Sequence, residues 1–137
     1  MTTTITRVIE FDAGHRVLGH EGKCKHLHGH RYRVELTVEA PKLDPLGRVI
    51  DFSCLKEIVG GWVDREWDHN MLLRSDDPLI ESGLLTRAPY IFDSNPTAEN
   101  MAQELFRIAR SLLSSDLSVV RVRVYETPNC WADAVGT

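Results

Sequence analysis

The stretch HGHRYRVELTVEA, residues 28–40, decides the fold. Its apolar residues alternate strictly with charged or polar ones, which is the period of a β-strand with one buried face. The even positions carry the apolar set: Tyr32, Val34, Leu36, Val38 and Ala40. Because successive side chains of a strand point to opposite faces, His28 and His30 share the buried face with that set. The pattern predicts a half-buried strand that begins with two inward-facing histidines.

A similar strand precedes it in the chain. The odd positions from residue 5 onward carry a second apolar set: Ile5, Ile9, Phe11 and Ala13. His15 continues this parity. If the two strands pair antiparallel around residues 16–27, the end of the first strand lies beside the start of the second. We therefore expect His15, His28 and His30 to converge on the buried face of the sheet.

Two helical segments follow. Residues 51–67 carry apolar side chains at a spacing of three to four, with Asp51 or Ser53 as the candidate N-cap. The second helix begins in NPTAENMAQELFRIARSLL, which starts at residue 95. There we expect Asn95 to be the N-cap and Pro96 the first helical residue, since proline is favoured at that position.

The remaining segments complete the predicted sheet. Residues 71–94 are expected to be irregular apart from a helical turn near Pro78. Alternating valines at 120–124 predict a third strand, and CWADAV, residues 130–135, a fourth strand at the edge. This order of elements predicts an α+β fold in a single domain, residues 1–137, with a four-stranded antiparallel sheet and two helices packed on one face.

Composition narrows the classes of partner. The net charge is −4 and the basic residues are scattered, so neither a nucleic acid nor a membrane partner is expected, whereas a phosphate-bearing small molecule remains compatible. The N-terminus lacks an apolar signal segment, and no stretch is long enough to span a bilayer. The three cysteines are an odd number, which favours reduced thiols over disulfides. We expect a soluble, cytoplasmic protein.

The converging histidines predict a metal site. Three imidazoles with a fourth position open are typical of catalytic zinc, whereas a structural site closes that position with another cysteine or histidine. The alternative is a cluster of hydrogen-bonded histidines at the strand ends. His20 and His26, in the connecting loop, are interpreted as solvated side chains.

Cys24 has two possible roles beside such a site. Four residues before His28, it is either a fourth metal ligand, which makes the site structural, or a free thiol next to the metal. Cationic neighbours favour the thiolate, which is the form that acts as a base. We expect Cys54 and Cys130 to be packing residues.

Three acidic or basic residues near element ends are further candidates. Asp68 and His69 are adjacent at the end of the first predicted helix. Adjacent residues on a regular helix do not face each other. Either the helix therefore ends there, or the two side chains have different partners. The alternative to a functional pair is an acidic residue at the helix end beside a solvated histidine. Glu126 continues the valine face and must therefore be paired or lie in a polar pocket. A carboxylate there can accept two parallel hydrogen bonds from the amidine-like edge of a pterin or guanine.

Five motifs occur together in the order FDAGH, CKHLHGH, WDH, NPTAEN and YETP. In these motifs the chain resembles the 6-pyruvoyl-tetrahydropterin synthase and 6-carboxytetrahydropterin synthase family over nearly its whole length. The resemblance implies the tunnelling fold (T-fold), whose subunits join their sheets into trimeric barrels. Two barrels stack into a homohexamer, and the active sites lie between subunits.

The resemblance also implies a role for each motif residue. Zinc is the implied cofactor, and the cysteine of the second motif is the implied catalytic base, assisted by an aspartate–histidine proton relay. The Glu of YETP is implied to anchor the pterin ring, and NPTAEN to line its pocket. The implied residues are His15, His28 and His30 for zinc; Cys24, Asp68 and His69 for catalysis; and Glu126, Thr97 and Glu99 for substrate binding.

The implied substrate is 7,8-dihydroneopterin triphosphate. One branch of the family makes 6-pyruvoyl-tetrahydropterin, and the other makes 6-carboxy-5,6,7,8-tetrahydropterin with loss of acetaldehyde and triphosphate, on the route to 7-deazaguanine and queuosine. The forms CKHLHGH, NPTAEN and DDPL favour the second, bacterial branch. The first branch and a non-catalytic pterin-binding protein with the same fold are the alternatives. The chain departs from the family at DHN, where a second histidine often follows, and in a tail that lacks a basic ending.

Overall fold

Strands β1 (Thr4–His15) and β2 (His28–Glu39) form the centre of the sheet in the computed structural model, which describes residues 1–137. They pair antiparallel along their whole length, with His15 directly opposite His28. Their apolar residues face the core as the alternation predicts. The predicted strand pair is confirmed, and it sets the frame for the rest of the fold.

The sheet has six strands rather than the four predicted. Strands β3 (Asn70–Arg74) and β4 (Tyr90–Phe92) lie beyond β1, while β5 (Ser118–Thr127) and β6 (Cys130–Val135) lie beyond β2. The order across the sheet is β4-β3-β1-β2-β5-β6. Because β3 runs parallel to β1 and β4 parallel to β3, the sheet is mixed and the prediction of a purely antiparallel sheet is wrong.

Strands β3 and β4 come from the stretch that was expected to be irregular. Leu72 and Leu73 are both fully buried, so β3 lacks the alternation of apolar and polar residues on which a strand prediction depends. β4 has three residues, too few for any period to show. The predicted helical turn near Pro78 is confirmed as a 3₁₀ turn, Pro78–Glu81, between the two strands.

Helix α1 has three parts. α-Helical turns at Phe52–Leu55 and Gly61–Glu66 flank a π-helical turn at Lys56–Gly60. Asp51 accepts a hydrogen bond from the backbone N–H of Ser53 at 2.7 Å, so Asp51 is the N-cap of the two candidates. The helix packs on the same face of the sheet as the second helix, as predicted.

Helix α2 (Ala98–Leu112) begins later than predicted. Thr97 is its N-cap and accepts a hydrogen bond from the backbone N–H three residues further on, so the assignments of Asn95 and Pro96 are wrong. The Asn95 side chain instead exchanges two hydrogen bonds of 3.0 Å with the backbone of Leu18, which ties the start of α2 to the loop after β1. Neither helix has the length and hydropathy needed to cross a membrane.

The core between the sheet and the helices is rich in aromatic rings near the histidine end. Phe11 and Tyr32 are cross-strand partners and stack at 5.2 Å between ring centroids. Trp67, at the end of α1, tilts against Phe11 at 5.8 Å. All three rings are almost completely buried. They therefore form a closely packed part of the core next to the residues that end β1 and begin β2.

Cys54 and Cys130 are exposed, so the prediction that they pack in the interior is wrong. On α1 the buried residues are Leu55, Val59 and Val63, whereas Cys54 is exposed. Cys130 begins β6, where its sulfur lies 2.9 Å from the hydroxyl oxygen of Thr127. The sequence does not show which of the adjacent residues Cys54 and Leu55 faces the core, and the structure shows that it is Leu55.

Asp77 anchors the chain just after β1. Its carboxylate is 1% exposed, forms a two-pronged ion pair with the guanidinium of Arg16, and accepts the backbone N–H of Leu79 at 2.9 Å. The Arg16 hydrogen bonds outweigh burial and lower the pKa of Asp77. Because Arg16 follows His15 directly, this pair holds the end of β1 in place.

We expect the Asp77 ion pair to make the fold sensitive to acid. The pKa of Asp77 is lowered in the folded protein, so its contribution is present above the ordinary carboxyl pKa of about 4 and is lost as the pH falls through the folded value. Asp77→Asn should lower the free energy of unfolding by about 2 kcal/mol or more at neutral pH, because it leaves Arg16 unpaired. Urea unfolding at a series of pH values measures this.

The difference in the free energy of unfolding between Asp77→Asn and wild type should become smaller as the pH falls below the pKa of an ordinary carboxyl group. Asp76→Asn is the matched control, since Asp76 pairs with Arg74 at the surface and its loss should change little. A difference that stays constant from neutral to acid pH would show that the pair is not the acid-sensitive element.

Candidate active site

Three histidines meet at the joined ends of β1 and β2. His15 and His28 are cross-strand partners, and His30 lies two residues further along β2 on the same face. Their ring centroids are 4.6 to 5.2 Å apart. The Nε2 atoms of His15 and His28 are 3.1 Å apart. The structure thus brings together the three residues for which the sequence predicts metal binding.

Backbone carbonyls orient two of these rings. His15 Nδ1 lies 2.7 Å from the carbonyl oxygen of Pro96, and His28 Nδ1 lies 2.6 Å from that of His26. Since a carbonyl oxygen only accepts hydrogen bonds, both Nδ1 atoms carry a proton, and the Nε2 atoms of the two rings are turned toward each other. Outer carbonyls that fix the tautomer in this way are typical of metal-binding histidines.

Glu126 joins the cluster from β5. Its Oε1 lies 3.2 Å from His30 Nε2, close enough for an ion pair, but the atoms are not aligned for a hydrogen bond and this buried nitrogen has no hydrogen-bond partner. The pairing of β5 with β6 shifts register between Tyr125 and Thr127. Glu126 keeps the parity of buried Val122 and Val124, so the alternation along β5 already turns it toward the face on which the histidines lie.

These four side chains fit a divalent metal ion. One ligand atom each from His15, His28, His30 and Glu126 lies within 4.8 Å of all the others. In a tetrahedral zinc site with bonds of about 2.0 Å, the ligand atoms are about 3.3 Å apart, close to the 3.1 and 3.2 Å found here. Imidazoles with a carboxylate suit zinc and its neighbours among the transition metals.

Burial of the site affects the protonation of its imidazoles. Burial lowers the pKa of His15 and of His30, so both are neutral at physiological pH, the form that binds metal. Tyr32 lies below them, with its ring 5.9 Å from His15 and 5.4 Å from His30 between centroids. Burial, together with the charge of Glu126, raises the pKa of Tyr32 far above its usual range. Its hydroxyl has no hydrogen-bond partner.

Asp68 and His69 belong to a second cluster, with Asp12. The preceding α-helical turns end at Glu66, and His69 has a left-handed backbone with φ of +55°. The two adjacent side chains can therefore face each other, and His69 Nδ1 lies 3.0 Å from Asp68 Oδ2. Of the alternatives for this pair, the structure supports a helix that ends and frees them to interact.

Asp12 holds this pair through its backbone. The Asp12 N–H donates to Asp68 Oδ1 at 3.0 Å, and the His69 N–H donates to the Asp12 carbonyl oxygen at 2.6 Å. Partial burial favours neutral Asp68, but the hydrogen bonds from Asp12 and His69 outweigh it and lower the pKa of Asp68. An ionised Asp68 thus orients the imidazole, whose side chain is 75% exposed and leaves Nε2 accessible.

Cys24 lies in neither cluster. It is half-buried in the 3₁₀ turn Lys23–Lys25, within the loop that joins β1 to β2. The side chain that lies beside the three histidines is that of Glu126, so the structure does not support Cys24 as a closing ligand. It also does not join Cys24 to Asp68 and His69 within one chain.

The residues predicted to bind substrate are divided by the structure. A cavity of about 490 Å³ is lined by Glu126 and Glu99, together with Cys130 and Trp131 of β6. Thr97 does not line it, since its hydroxyl caps α2. Glu126 thus borders both the histidine cluster and this cavity.

Comparison with known proteins identifies the family. The family described as 6-pyruvoyl tetrahydropterin synthase matches residues 4–136. The chain belongs to this family. Among curated relatives, 6-carboxy-5,6,7,8-tetrahydropterin synthase of Rickettsia bellii is 41% identical over 133 residues, which cover 93% of this chain and 96% of the relative.

Solved structures agree with the family assignment. A 6-pyruvoyl tetrahydropterin synthase of Caenorhabditis elegans is similar with a TM-score of 0.76 and 25% identity, covering 100% of this chain and 97% of that one. An uncharacterized protein from Wolinella succinogenes has the same fold with a TM-score of 0.86 and 23% identity, covering 100% and 99% of the two chains. These likenesses confirm the predicted α+β tunnelling fold, with the two extra strands described above.

Several of the groups that build or orient the two clusters cannot be recognised from the sequence. Asp12 occupies a polar position of an alternating strand, where it resembles any solvated side chain. The carbonyls of Pro96 and His26 act through the backbone, which every residue has. The motif NPTAEN is one available sign, because it is among the motifs on which the resemblance rests and it contains Pro96.

We expect the histidine cluster to bind one divalent ion per chain. His28→Ala removes one of the imidazole donors, so zinc or cobalt(II) affinity should fall at least about tenfold. Cys24→Ala should bind as tightly as wild type, because its thiol lies outside the cluster. Binding should weaken in mild acid as the imidazoles become protonated. Equilibrium dialysis with elemental analysis gives stoichiometry and affinity.

His20→Ala is the matched control for this measurement. His20 lies in the same loop, and its Nδ1 accepts the backbone N–H of Gly22 instead of joining the cluster. Loss of the ion from Cys24→Ala as readily as from His28→Ala would make the thiol a ligand and the site a closed one.

Proposed function

We propose that this protein is a 6-carboxy-5,6,7,8-tetrahydropterin synthase, a zinc-dependent lyase. Its substrate is 7,8-dihydroneopterin triphosphate, and its products are 6-carboxy-5,6,7,8-tetrahydropterin, triphosphate and acetaldehyde, on the route to 7-deazaguanine and queuosine. The observation that carries the proposal is the convergence of His15, His28 and His30 beside Glu126. This site occurs in a chain 41% identical to a relative that bears the enzyme's name.

The metal-binding residues are His15, His28 and His30. Zinc, when bound, supplies a Lewis acid that polarises substrate oxygens and stabilises the negative charge formed on deprotonation. The carbonyls of Pro96 and His26 hold two of the rings with Nε2 turned inward. Burial lowers the pKa of His15 and of His30, which favours the neutral form that binds metal.

Glu126 positions the pterin. Its carboxylate borders the cavity of about 490 Å³, where it can accept two parallel hydrogen bonds from the 2-amino group and ring N–H of the substrate. Glu99 lines the same cavity, and Thr97 caps the helix from which Glu99 projects. This contact holds the ring so that the reacting side chain lies beside the histidines, which is positioning rather than chemistry.

Cys24 and the Asp68–His69 pair move protons. The Cys24 thiolate removes a proton from the substrate side chain, and His69, oriented by Asp68, returns or receives one. The geometry of the pair supports this role, because Asp68 holds Nδ1 and leaves Nε2 accessible. The cysteines are all unpaired, which fits a protein that works with a free thiol in the cytoplasm.

The two catalytic parts come from different subunits in this proposal. Within one chain His69 belongs to the cluster with Asp12 and Asp68, and Cys24 is not part of it. Two sheet edges are open to a second copy. β6 pairs only with β5, and β1 is covered by β3 only at residues 13–15. A groove of about 620 Å³ follows the open part of β1 beside α1.

Antiparallel joining of β6 to the open edge of β1 would place the two catalytic parts together. Asp12, which holds His69, lies at the end of that edge, and Glu126 lies just before β6. Three copies joined in this way close a barrel without free edges, and two barrels stack into a homohexamer. The arrangement places the partner's His69 beside the histidine cluster and Cys24 of the first chain.

Two alternative functions share the substrate pocket. A 6-pyruvoyl-tetrahydropterin synthase would act on the same substrate, and the likeness to the enzyme of Caenorhabditis elegans favours it, though at 25% identity. A non-catalytic pterin-binding protein of this fold would keep the ion for stability. The presence of Cys24, Asp68 and His69 together argues against it.

We expect purified protein loaded with zinc to convert 7,8-dihydroneopterin triphosphate, with acetaldehyde and the 6-carboxy product detected by mass spectrometry. Cys24→Ala should lose turnover by about 100-fold or more while retaining the ion, because a general base is removed without a ligand. Release of a 6-pyruvoyl product without acetaldehyde would assign the first alternative. Unchanged substrate on a protein that still binds the pterin would assign the second.

We expect mixed hexamers to reveal the division between subunits. Cys24→Ala and His69→Ala homohexamers should each retain about 1% of wild-type activity or less. Hexamers assembled from an equal mixture should regain about a quarter of wild-type activity, since one quarter of the interfaces then combine an intact Cys24 with an intact His69. No regain after verified mixing, measured on tandem-tagged hybrids, would place all catalytic groups in one chain.

A further inference from the structure

Arg87 bridges two backbone carbonyls at the end of helix α1. It comes from the irregular segment between the 3₁₀ turn Pro78–Glu81 and β4. Its Nη1 donates to the carbonyl oxygen of Asp68 at 3.0 Å, and its Nη2 donates to that of Arg65. The last carbonyls of a helix lack helical partners and carry partial negative charge, so a cation there is favourable.

The carbonyl of Asp68 belongs to the peptide group that leads into His69. The N–H of the same peptide group donates to the carbonyl oxygen of Asp12 at 2.6 Å. The peptide is therefore held at both ends, by Arg87 on its oxygen and by β1 on its nitrogen. Its plane sets the directions in which the Asp68 and His69 side chains leave the backbone.

This restraint matters because the backbone of His69 is unusual. Its φ of +55° lies in the left-handed region, and His69 is the one residue other than glycine that adopts it in this chain. Without support, the turn would relax and the contact of 3.0 Å between His69 Nδ1 and Asp68 Oδ2 would be lost. Arg87 is the side chain that supplies this support from outside α1 and β1.

The charge of Arg87 is not used by another partner. It forms no ion pair with any carboxylate, in contrast to Arg16, Arg74 and Arg123. Arg87 and His69 line the same open cavity of about 610 Å³. An arginine that was only a surface charge would gain more from a carboxylate than from two carbonyls.

We propose that Arg87 is a positioning residue that fixes the Asp68–His69 turn in its active geometry. It acts through the backbone and does not touch the reacting atoms. This inference rests on the proposed function, since it needs Asp68 and His69 to relay protons. It adds a residue from the segment between β3 and β4 to the machinery.

The effect should appear in turnover and not in substrate binding. Arg87→Met should lower kcat by about 10-fold or more with KM nearly unchanged, because a small displacement of a proton-transfer group costs rate rather than affinity. Arg87→Lys, which keeps the charge but can reach only one carbonyl well, should fall between Arg87→Met and wild type. Arg110→Met, at an exposed arginine that lies over the Phe106 ring, is the matched control and should act like wild type.

Two further measurements separate positioning from a general structural role. In a His69→Ala background, Arg87→Met should cause no additional loss, since the residue acts only through His69. In mixed hexamers, Arg87→Met chains should regain activity with Cys24→Ala chains but not with His69→Ala chains. Both results would assign Arg87 to the relay side of the interface.

The outcomes decide between the possibilities. A kcat within twofold of wild type for either Arg87 variant, a loss confined to KM, or an equal additional loss in the His69→Ala background would overturn the proposal. Should Arg87→Met fail to assemble, Arg87→Lys carries the same test. Failure of the proposed function is distinguishable, because wild type itself would then leave the pterin triphosphate unchanged or release a 6-pyruvoyl product without acetaldehyde.

Discussion

The register of β1 against β2 is the constraint on which the site depends. It places His15 opposite His28 and, two residues further, His30 on the same face. A shift of one residue would turn one strand's side chains to the opposite face, so it would expose the apolar set and separate the histidines. The stacking of Phe11 on Tyr32 and the burial of both rings stabilise this register from within the core. Packing and metal geometry thus depend on the same alignment.

Imidazoles gathered in a half-buried site need hydrogen-bond partners, and the loop and the helix start around β1 supply them. The start of α2 presents the carbonyl of Pro96 to His15, and Asn95 ties that start to Leu18 in the loop. On the next residue along the chain, Arg16 is held by buried Asp77. These contacts fix the backbone on both sides of His15, so the ring needs no rearrangement when an ion binds.

Strand β1 contributes to both clusters, with a side chain to one and with backbone groups to the other. The side chain of His15 faces the core, whereas the backbone of Asp12 turns toward the open edge of the sheet and holds Asp68 and His69. An edge strand with unpaired backbone groups is a liability unless it is covered. In the proposed assembly a neighbouring β6 covers that edge, so the contact that removes the liability also completes the catalytic group. Activity would then depend on assembly.

Features of the fold that depend on local sequence patterns could be predicted, whereas features that depend on contacts between distant segments could not. The alternation in β1, β2 and β5 and the spacing in the helices are local patterns, and they predicted the strand pair, both helices and the grouping of three histidines. β3 escaped prediction because burial on both faces erases the alternation at Leu72 and Leu73. The N-cap of α2 was misplaced because Asn95 found a partner at Leu18, far away in the chain.

The sequence by itself determined which residues can share a face, since side-chain direction follows from strand and helix periods. Only the tertiary structure decided which faces meet. It brought Glu126 of β5 beside His30 of β2, set Asp68 against His69 through a left-handed backbone, and left Cys24 apart from both clusters. Each of these depends on backbone hydrogen bonds between distant segments, and every residue type offers those same backbone groups, so no residue pattern announces them.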